Sequence, residues 1–360
     1  MKLFDFYKNK KVLVTGNTGF KGSWLCEILL AAGAKVTGYS LEPPTNPNLY
    51  DILKLEGRMD SVTGDVRDLE QMKRVFAQAQ PEIVFHLAAQ PIVRTSYEEP
   101  VSTYETNVMG TVNICECVRL NPCVKSFLNV TTDKVYYNRE WEWGYREEDP
   151  LDGYDPYSNS KSCSELVTHS YISSFYNQMQ VAVSTARAGN VIGGGDFAKD
   201  RILPDCIRAA VNKETILVRN PYSIRPFQHV LEPLYAYLLI GAWQYENREY
   251  AGFYNVGPDD SDCITTGRLT EIFCRKWGEG QRWRVQDETA AQPHEANFLK
   301  LDCSRLKRTF GWKPAWNIET AVDKTVEWAK AWRDGKDAEG CMKAQIDEFF
   351  AAREEIRADG

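Results

Sequence analysis

A run of apolar and β-branched residues, Lys11-Val12-Leu13-Val14-Thr15, gives way at once to Gly16-Asn17-Thr18-Gly19-Phe20-Lys21-Gly22. The run reads as a buried strand. Phe20 to Ala32 then reads as a helix, with Trp24, Leu25, Ile28 and Leu29 on one face and Gly33 past its end. A strand that turns into a helix through glycines constrains the fold more than any other feature of the chain. Bare backbone in such a turn lets a pyrophosphate approach closely, and the helix N-terminus offers it N–H groups. The place of the loop in an opening β-α-β unit separates it from an ordinary tight turn.

The rest of the chain continues the alternation. Strands are expected at Lys35 to Tyr39, Ile83 to His86, Ser126 to Thr131 and Val181 to Arg187, with helical patterns between them. This predicts an α/β fold, a Rossmann-like doubly wound parallel sheet. After about Gly189 the character changes to loops rich in Gly, Pro and Arg. A helix at Leu231 to Gln244 and a strand at Gly252 to Val256 rejoin the first domain. The expected division is a dinucleotide-binding domain, 1–187 plus about 229–257, and a smaller C-terminal substrate-binding lobe, 188–228 plus about 258–360. The charged tail from about Asp337 is helix-prone.

Composition narrows the classes. The net charge of -7 gives no electrostatic reason to expect a nucleic-acid partner. The longest apolar run, around Leu234 to Trp243, falls short of the roughly 18 residues that a membrane span needs. Met1 to Lys10 lacks the apolar core of a signal peptide. The ten cysteines include no Cys-x-x-Cys pair, and no His lies near Cys115, Cys117 and Cys123. They read as small apolar residues, not metal ligands, and unpaired thiols fit a reducing cytoplasm.

Tyr157-Ser158-Asn159-Ser160-Lys161 places a phenol and an ammonium four residues apart, so on a helix they face the same way. A cation beside a phenol lowers its pKa, and the tyrosinate then accepts a hydroxyl proton during hydride transfer.

The G-x-x-G-x-x-G spacing resembles the extended short-chain dehydrogenases. More specific stretches resemble the CDP-glucose branch of their nucleotide-sugar 4,6-dehydratases: Thr18 to Trp24, Asp133-Lys134, Trp141 to Glu147, Gly153 to Ser158 and Arg225 to Val230. The resemblance covers nearly the whole chain. It implies NAD bound by Gly16, Thr18, Gly19, Phe20, Lys21 and Gly22, with Asp65 and Val66 at the adenine. Leu87, Ala88, Ala89 and Gln90 would line the cofactor, with Asn107, Tyr157 and Lys161. The usual acid after the second strand is missing, and Ser40 or Glu42 stands in reach of the ribose. No Arg is there to meet a 2'-phosphate, so NAD is expected over NADP. His86 is assigned no chemistry.

In that family a Ser or Thr after the strand preceding Asp133 bonds the sugar 4-hydroxyl. Thr132 is assigned this role, with Thr131 adjacent. A 4-epimerase needs hydride out and back, whereas a 4,6-dehydratase must also remove a C5 proton and expel the C6 hydroxyl. Asp133 is the expected acid for that hydroxyl. Lys134 is either the C5 base or a cation that stabilises an enolate-like intermediate.

On the substrate side the resemblance implies Asn190, Arg201, Arg219, Arg225, Gln228 and His294. An Arg suits a diphosphate because its planar fork binds two oxygens. The implied ligand is a nucleotide sugar, CDP-glucose, and the implied assembly is a homodimer or homotetramer through Pro100 to Leu120 and Tyr157 to Tyr176. The rival readings are a nucleotide-sugar 4-epimerase, a dTDP-glucose 4,6-dehydratase and a non-catalytic NAD-binding regulator. Trp141 to Glu147 has no mechanism that its residues alone supply.

Overall fold

The computed structural model describes residues 2–286 and 298–358. Seven parallel strands form the central sheet: β1 (Lys11–Thr15), β2 (Lys35–Ser40), β3 (Asp60–Thr63), β4 (Ile83–His86), β5 (Ser126–Thr132), β6 (Ala182–Ala188) and β7 (Phe253–Val256). Their order across the sheet is β7-β6-β5-β4-β1-β2-β3. The chain winds outward from β1 to β3, then returns to β4 and winds the other way. The switch point therefore lies between β1 and β4, where Thr15 is in register with His86. In open α/β sheets the crevice beyond the strand ends at this point is the ligand site.

The main helices are α1 (Leu3–Tyr7), α2 (Phe20–Ala31), α3 (Leu69–Ala79), α4 (Gly110–Leu120), α5 (Pro156–Ser174), α6 (Leu231–Glu246), α7 (Ile318–Arg333) and α8 (Ala338–Ala358). The sequence expects one buried face on α2. Instead every residue from Gly22 to Leu29 is buried. Glu27 tolerates this because Arg58 grips both its oxygens, at 2.6 and 3.0 Å. Trp24 is fully buried and its indole N–H donates to the Gly194 carbonyl at 3.0 Å, which ties α2 to the later glycine loop. Burying such a side chain contributes about 3 kcal/mol.

The helix expected from Pro100 to Leu120 is broken by a π-turn at Glu105–Met109. Asn107 sits buried in that turn, where single π-turns are often found at functional sites.

A second apolar cluster joins Leu203, Ile207, Leu269, Phe273 and Trp277 to Ile318, Val322 and Val326. It is separate from the main core on the sheet. Met342, Ile346 and Phe349 of α8 join the main core instead, although the sequence reading gives this tail to the lobe. Phe350 meets Phe4 of α1 with ring centroids 4.6 Å apart. No helix among the described residues is long and apolar enough to cross a membrane.

Candidate active site

The glycine loop folds onto itself. Gly16 has φ +75°, and a Cβ there would lie 2.8 Å from the Ala88 nitrogen. A Cβ on Gly22 would lie 2.0 Å from the Gly16 carbonyl oxygen. Gly19 caps α2 with no side-chain bond. The first-turn amides thus face the switch point with no capping side chain over them, as a pyrophosphate requires. The residues present therefore fit a dinucleotide.

The remaining cofactor candidates surround that cradle. Thr18 and Ser40 share a hydroxyl hydrogen bond of 2.8 Å. Glu42 accepts instead from Thr63 at 3.1 Å. Asp65 is gripped by Arg67, which approaches both carboxylate oxygens, and the Arg67 guanidinium holds its carboxyl below the ordinary range. The Val66 carbonyl accepts from Asn113. The Leu87 and Ala88 amides both donate to Thr15 Oγ1 at 3.2 Å. Ala89 follows, half-buried. Asn107 accepts from the Gln90 amide at 2.8 Å and donates to Ser160 on α5 at 2.9 Å, so the π-turn joins the β4 end to the helix of Tyr157. His86 bonds Thr15 at 2.7 Å, and burial pushes its pKa down to about 3. It is a neutral core histidine.

β5 delivers Thr132 to its carboxyl end. Thr132 Oγ1 donates to Asp133 Oδ1 at 3.0 Å. Asp133 is 1% exposed, and among the described residues its Oδ2 has no hydrogen-bond partner. Gly189, beyond the end of β6, leaves room at that oxygen: a Cβ there would stand 3.3 Å from it. The Lys134 ammonium lies 3.7 Å from Asp133 Oδ1 and its side chain is part-exposed.

Helix α5 starts sharply because Asp155 caps it, accepting from the Ser158 amide at 2.9 Å, with Pro156 in the first turn. This sets Tyr157 opposite Thr132. Burial pushes the Tyr157 phenol up to about 12, and the Thr132 hydrogen bond and the charge of Arg201 oppose it. Lys161 is buried and donates to the Val130 carbonyl at 3.0 Å, and burial pushes its pKa down to about 8.

Two residues couple to the reacting groups beyond the roles the sequence gives them. Arg201, expected in the lobe over the nucleotide, also bears on Tyr157, where its charge opposes the effect of burial. Asp196 holds it at 2.9 Å. Lys21, expected at the cofactor, also feels Arg201, Lys161 and Asp133, and burial pushes its pKa down to about 8. The structure thus gathers Lys21, Lys161 and Arg201 around Asp133 and Tyr157.

The substrate-side residues are more dispersed. Asn190 is half-buried after β6. Arg219 pairs with Asp200 at 2.7 Å, and Arg94 approaches the same carboxylate at 3.7 Å. Arg225 is buried and donates to the Ile224 carbonyl at 2.9 Å. Gln228 is buried, donates to the Val256 carbonyl at 3.0 Å and keeps its Oε1 without a partner among the described residues. His294 lies outside the described residues. No metal-ligating cluster occurs among them.

The family model described as GDP-mannose 4,6 dehydratase matches residues 13–325. The chain belongs to that family. The CDP-glucose 4,6-dehydratase of Salmonella typhimurium is 47% identical over 97% of this chain and 98% of its own length. The dTDP-glucose 4,6-dehydratase of Xanthomonas campestris is 27% identical over 88% of this chain and 92% of its own. Among solved structures, Bacillus cereus UDP-glucuronic acid 4-epimerase, in complex with UDP-glucuronic acid and NAD, covers 89% of this chain and 99% of its own with a TM-score of 0.77 at 20% identity. Bacillus anthracis dTDP-glucose 4,6-dehydratase, in complex with NAD, covers 90% and 98% with a TM-score of 0.74 at 21% identity. These two likenesses establish the fold. Within this dehydratase family the Rossmann sheet and the Tyr-x-x-x-Lys pair stand where the sequence motifs put them.

The sequence reading passed over Glu165 and Arg187, which form a fully buried ion pair beside Thr131. The signal for Glu165 was its spacing, one further helical turn beyond Lys161 on the face of Tyr157.

Proposed function

We propose that the protein is a cytoplasmic CDP-glucose 4,6-dehydratase that uses tightly held NAD. The observation that carries this reading is the buried Asp133 beside Thr132, with one carboxylate oxygen unpartnered and no side chain on Gly189 next to it. An acid in that place serves an elimination and has no task in a simple epimerisation. The 47% identity to a CDP-glucose dehydratase supports the choice of base.

The loop of Gly16, Gly19 and Gly22 would hold NAD, which would supply the hydride chemistry at C4 and C6 of the hexose. Thr132 orients the 4-hydroxyl through its Oγ1. Tyr157, with its phenolate favoured by Arg201, takes the proton of that hydroxyl. Oxidation at C4 acidifies the C5 hydrogen. Lys134, as its neutral amine, takes the C5 proton while Asp133, as its carboxylic acid, protonates the C6 oxygen, which leaves as water. The elimination leaves the two as an ion pair, the arrangement in which they stand 3.7 Å apart, and Lys134 gives the proton back to C5 as C6 is reduced. Lys161 stays charged against the Val130 carbonyl. The lobe built from 188–228 and segments after 258 covers the nucleotide, with Asn190, Arg219, Arg225, Gln228 and His294 assigned there. The assembly assigned is a homo-oligomer through the exposed apolar residues Val101, Met109 and Leu166, which sizing by light scattering tests.

The deciding experiment incubates purified protein separately with CDP-glucose, dTDP-glucose, UDP-glucose and GDP-mannose and weighs the products. Loss of one water from CDP-glucose alone, without added NAD, is expected. An unchanged mass with altered sugar stereochemistry would make the protein an epimerase instead.

A further inference from the structure

Below the reacting groups lies a buried polar network that none of these steps uses. Tyr157, Lys161 and Glu165 follow one another at four-residue spacing, so they share one face of α5. Glu165 is completely buried. Its Oε1 accepts from Thr131 Oγ1 at 2.5 Å and from Arg187 Nε at 3.1 Å. Its Oε2 accepts from Thr185 Oγ1 at 2.7 Å and from Arg187 Nη2 at 3.0 Å. Both oxygens are thus fixed by β5 and β6. Arg187 carries the network onward, donating to Tyr136 Oη at 2.9 Å and to the Glu147 carbonyl at 2.8 Å. This anchors the end of the Trp141 to Glu147 stretch. Buried ion pairs are poor stabilisers, because desolvation offsets their attraction. The place of this one, between the strand of Thr132 and the helix of Tyr157, calls for a role besides stability.

We propose that Glu165 is a positioning residue for the reaction: through Thr131 and Arg187 it fixes the strand end that carries Thr132 against the helix face that carries Tyr157 and Lys161. For its substrate this rests on the dehydratase reading above. Glu165 also lies one turn from Lys161, and its charge favours the ammonium form there against the effect of burial. The other groups facing Lys161 are Tyr157 on the same helix, neutral His86 at the end of β4 and Lys21 on the glycine loop. Of these charges, that of Glu165 alone helps Lys161 keep its proton.

Glu165→Gln retains the shape and removes the charge. Its kcat for CDP-glucose should fall by about 10- to 100-fold with KM unchanged, since slight misplacement of reacting groups costs that much. Its activity should also be lost at lower pH on the alkaline side, as Lys161 gives up its proton earlier. Thr131→Val removes only the hydroxyl, so kcat should fall while the alkaline limb stays in place. NMR titration of Lys161 with isotope-labelled lysine, assigned through Lys161→Arg, should show a lower midpoint in Glu165→Gln and needs no substrate. It therefore decides this role even if wild-type protein fails to dehydrate CDP-glucose, which would sink the functional reading alone. If Glu165→Gln does not fold, Glu165→Gln combined with Arg187→Met removes both buried charges and permits the same titration. Wild-type kcat, pH profile and Lys161 midpoint, with only a lower Tm, would reduce Glu165 to a structural residue.

Discussion

Thr131 and Thr132 are neighbours on β5, yet their hydroxyls go to opposite sides: Thr131 to Glu165 and Thr132 to Asp133. Successive residues of a strand point to opposite faces, so only one of the pair can carry the proposed contact with the hexose. Thr132→Val should lower kcat by about 10²-fold, the usual loss for one well-placed donor. Fold and bound NAD should be retained, as seen by circular dichroism and by cofactor released on denaturation. Turnover at the wild-type rate would move the hydroxyl contact elsewhere.

Asp133→Asn keeps the shape of the side chain but cannot deliver an acidic proton. Bound NAD should still be reduced by CDP-glucose, visible as absorbance of the reduced nicotinamide, while water loss slows by about 10²- to 10⁴-fold. If both steps fall together, Asp133 is not a specific acid.

Arg201 lowers the Tyr157 pKa from its place beside Asp196. Removing its charge in Arg201→Gln raises that pKa. Activity needs the phenolate, so the acid limb of the kcat profile should move to higher pH. Tyr157→Phe is the matching control, in which oxidation at C4 disappears at every pH. A profile unmoved in Arg201→Gln would return Arg201 to the nucleotide.

His86 and His229 are both buried, and burial pushes each pKa down to about 3 from an ordinary 6.5. Unfolding frees them to take protons below 6.5. Their contribution to stability is therefore complete above that pH and shrinks as pH falls toward 3. Tm should decline through this window, and His229→Gln should decline less steeply. An identical slope in the variant would leave the acid sensitivity to the carboxylates.

The fold was legible because its periodicities are local. Lys11 to Thr15 and Ile83 to His86 were read without error, and four other sheet strands and the helix after the glycine loop were placed within a residue of their ends, whereas the edge strand β3, mostly exposed and polar, was not anticipated. The Tyr-x-x-x-Lys pair was legible for the same reason. The choice between Thr131 and Thr132 rested on resemblance, since every residue of β5 is buried and alternation gives no sign of facing. The coupling of Arg201 and Lys21 to Tyr157 and Asp133 was not legible, because these charges meet across distant parts of the sequence. The π-turn at Asn107 leaves no pattern in a segment that is otherwise an ordinary helix.

The contact of Phe4 with Phe350 has a consequence in time. A ribosome makes α1 first and α8 long afterwards, yet both seal the same apolar cluster around Tyr235. Cores usually close as their own segments emerge. Here the nascent Rossmann sheet must wait, with aromatic rings uncovered, until α8 docks. Among variants of equal final stability, those that weaken Phe349 or Phe350 should be the ones that depend most on chaperones during synthesis.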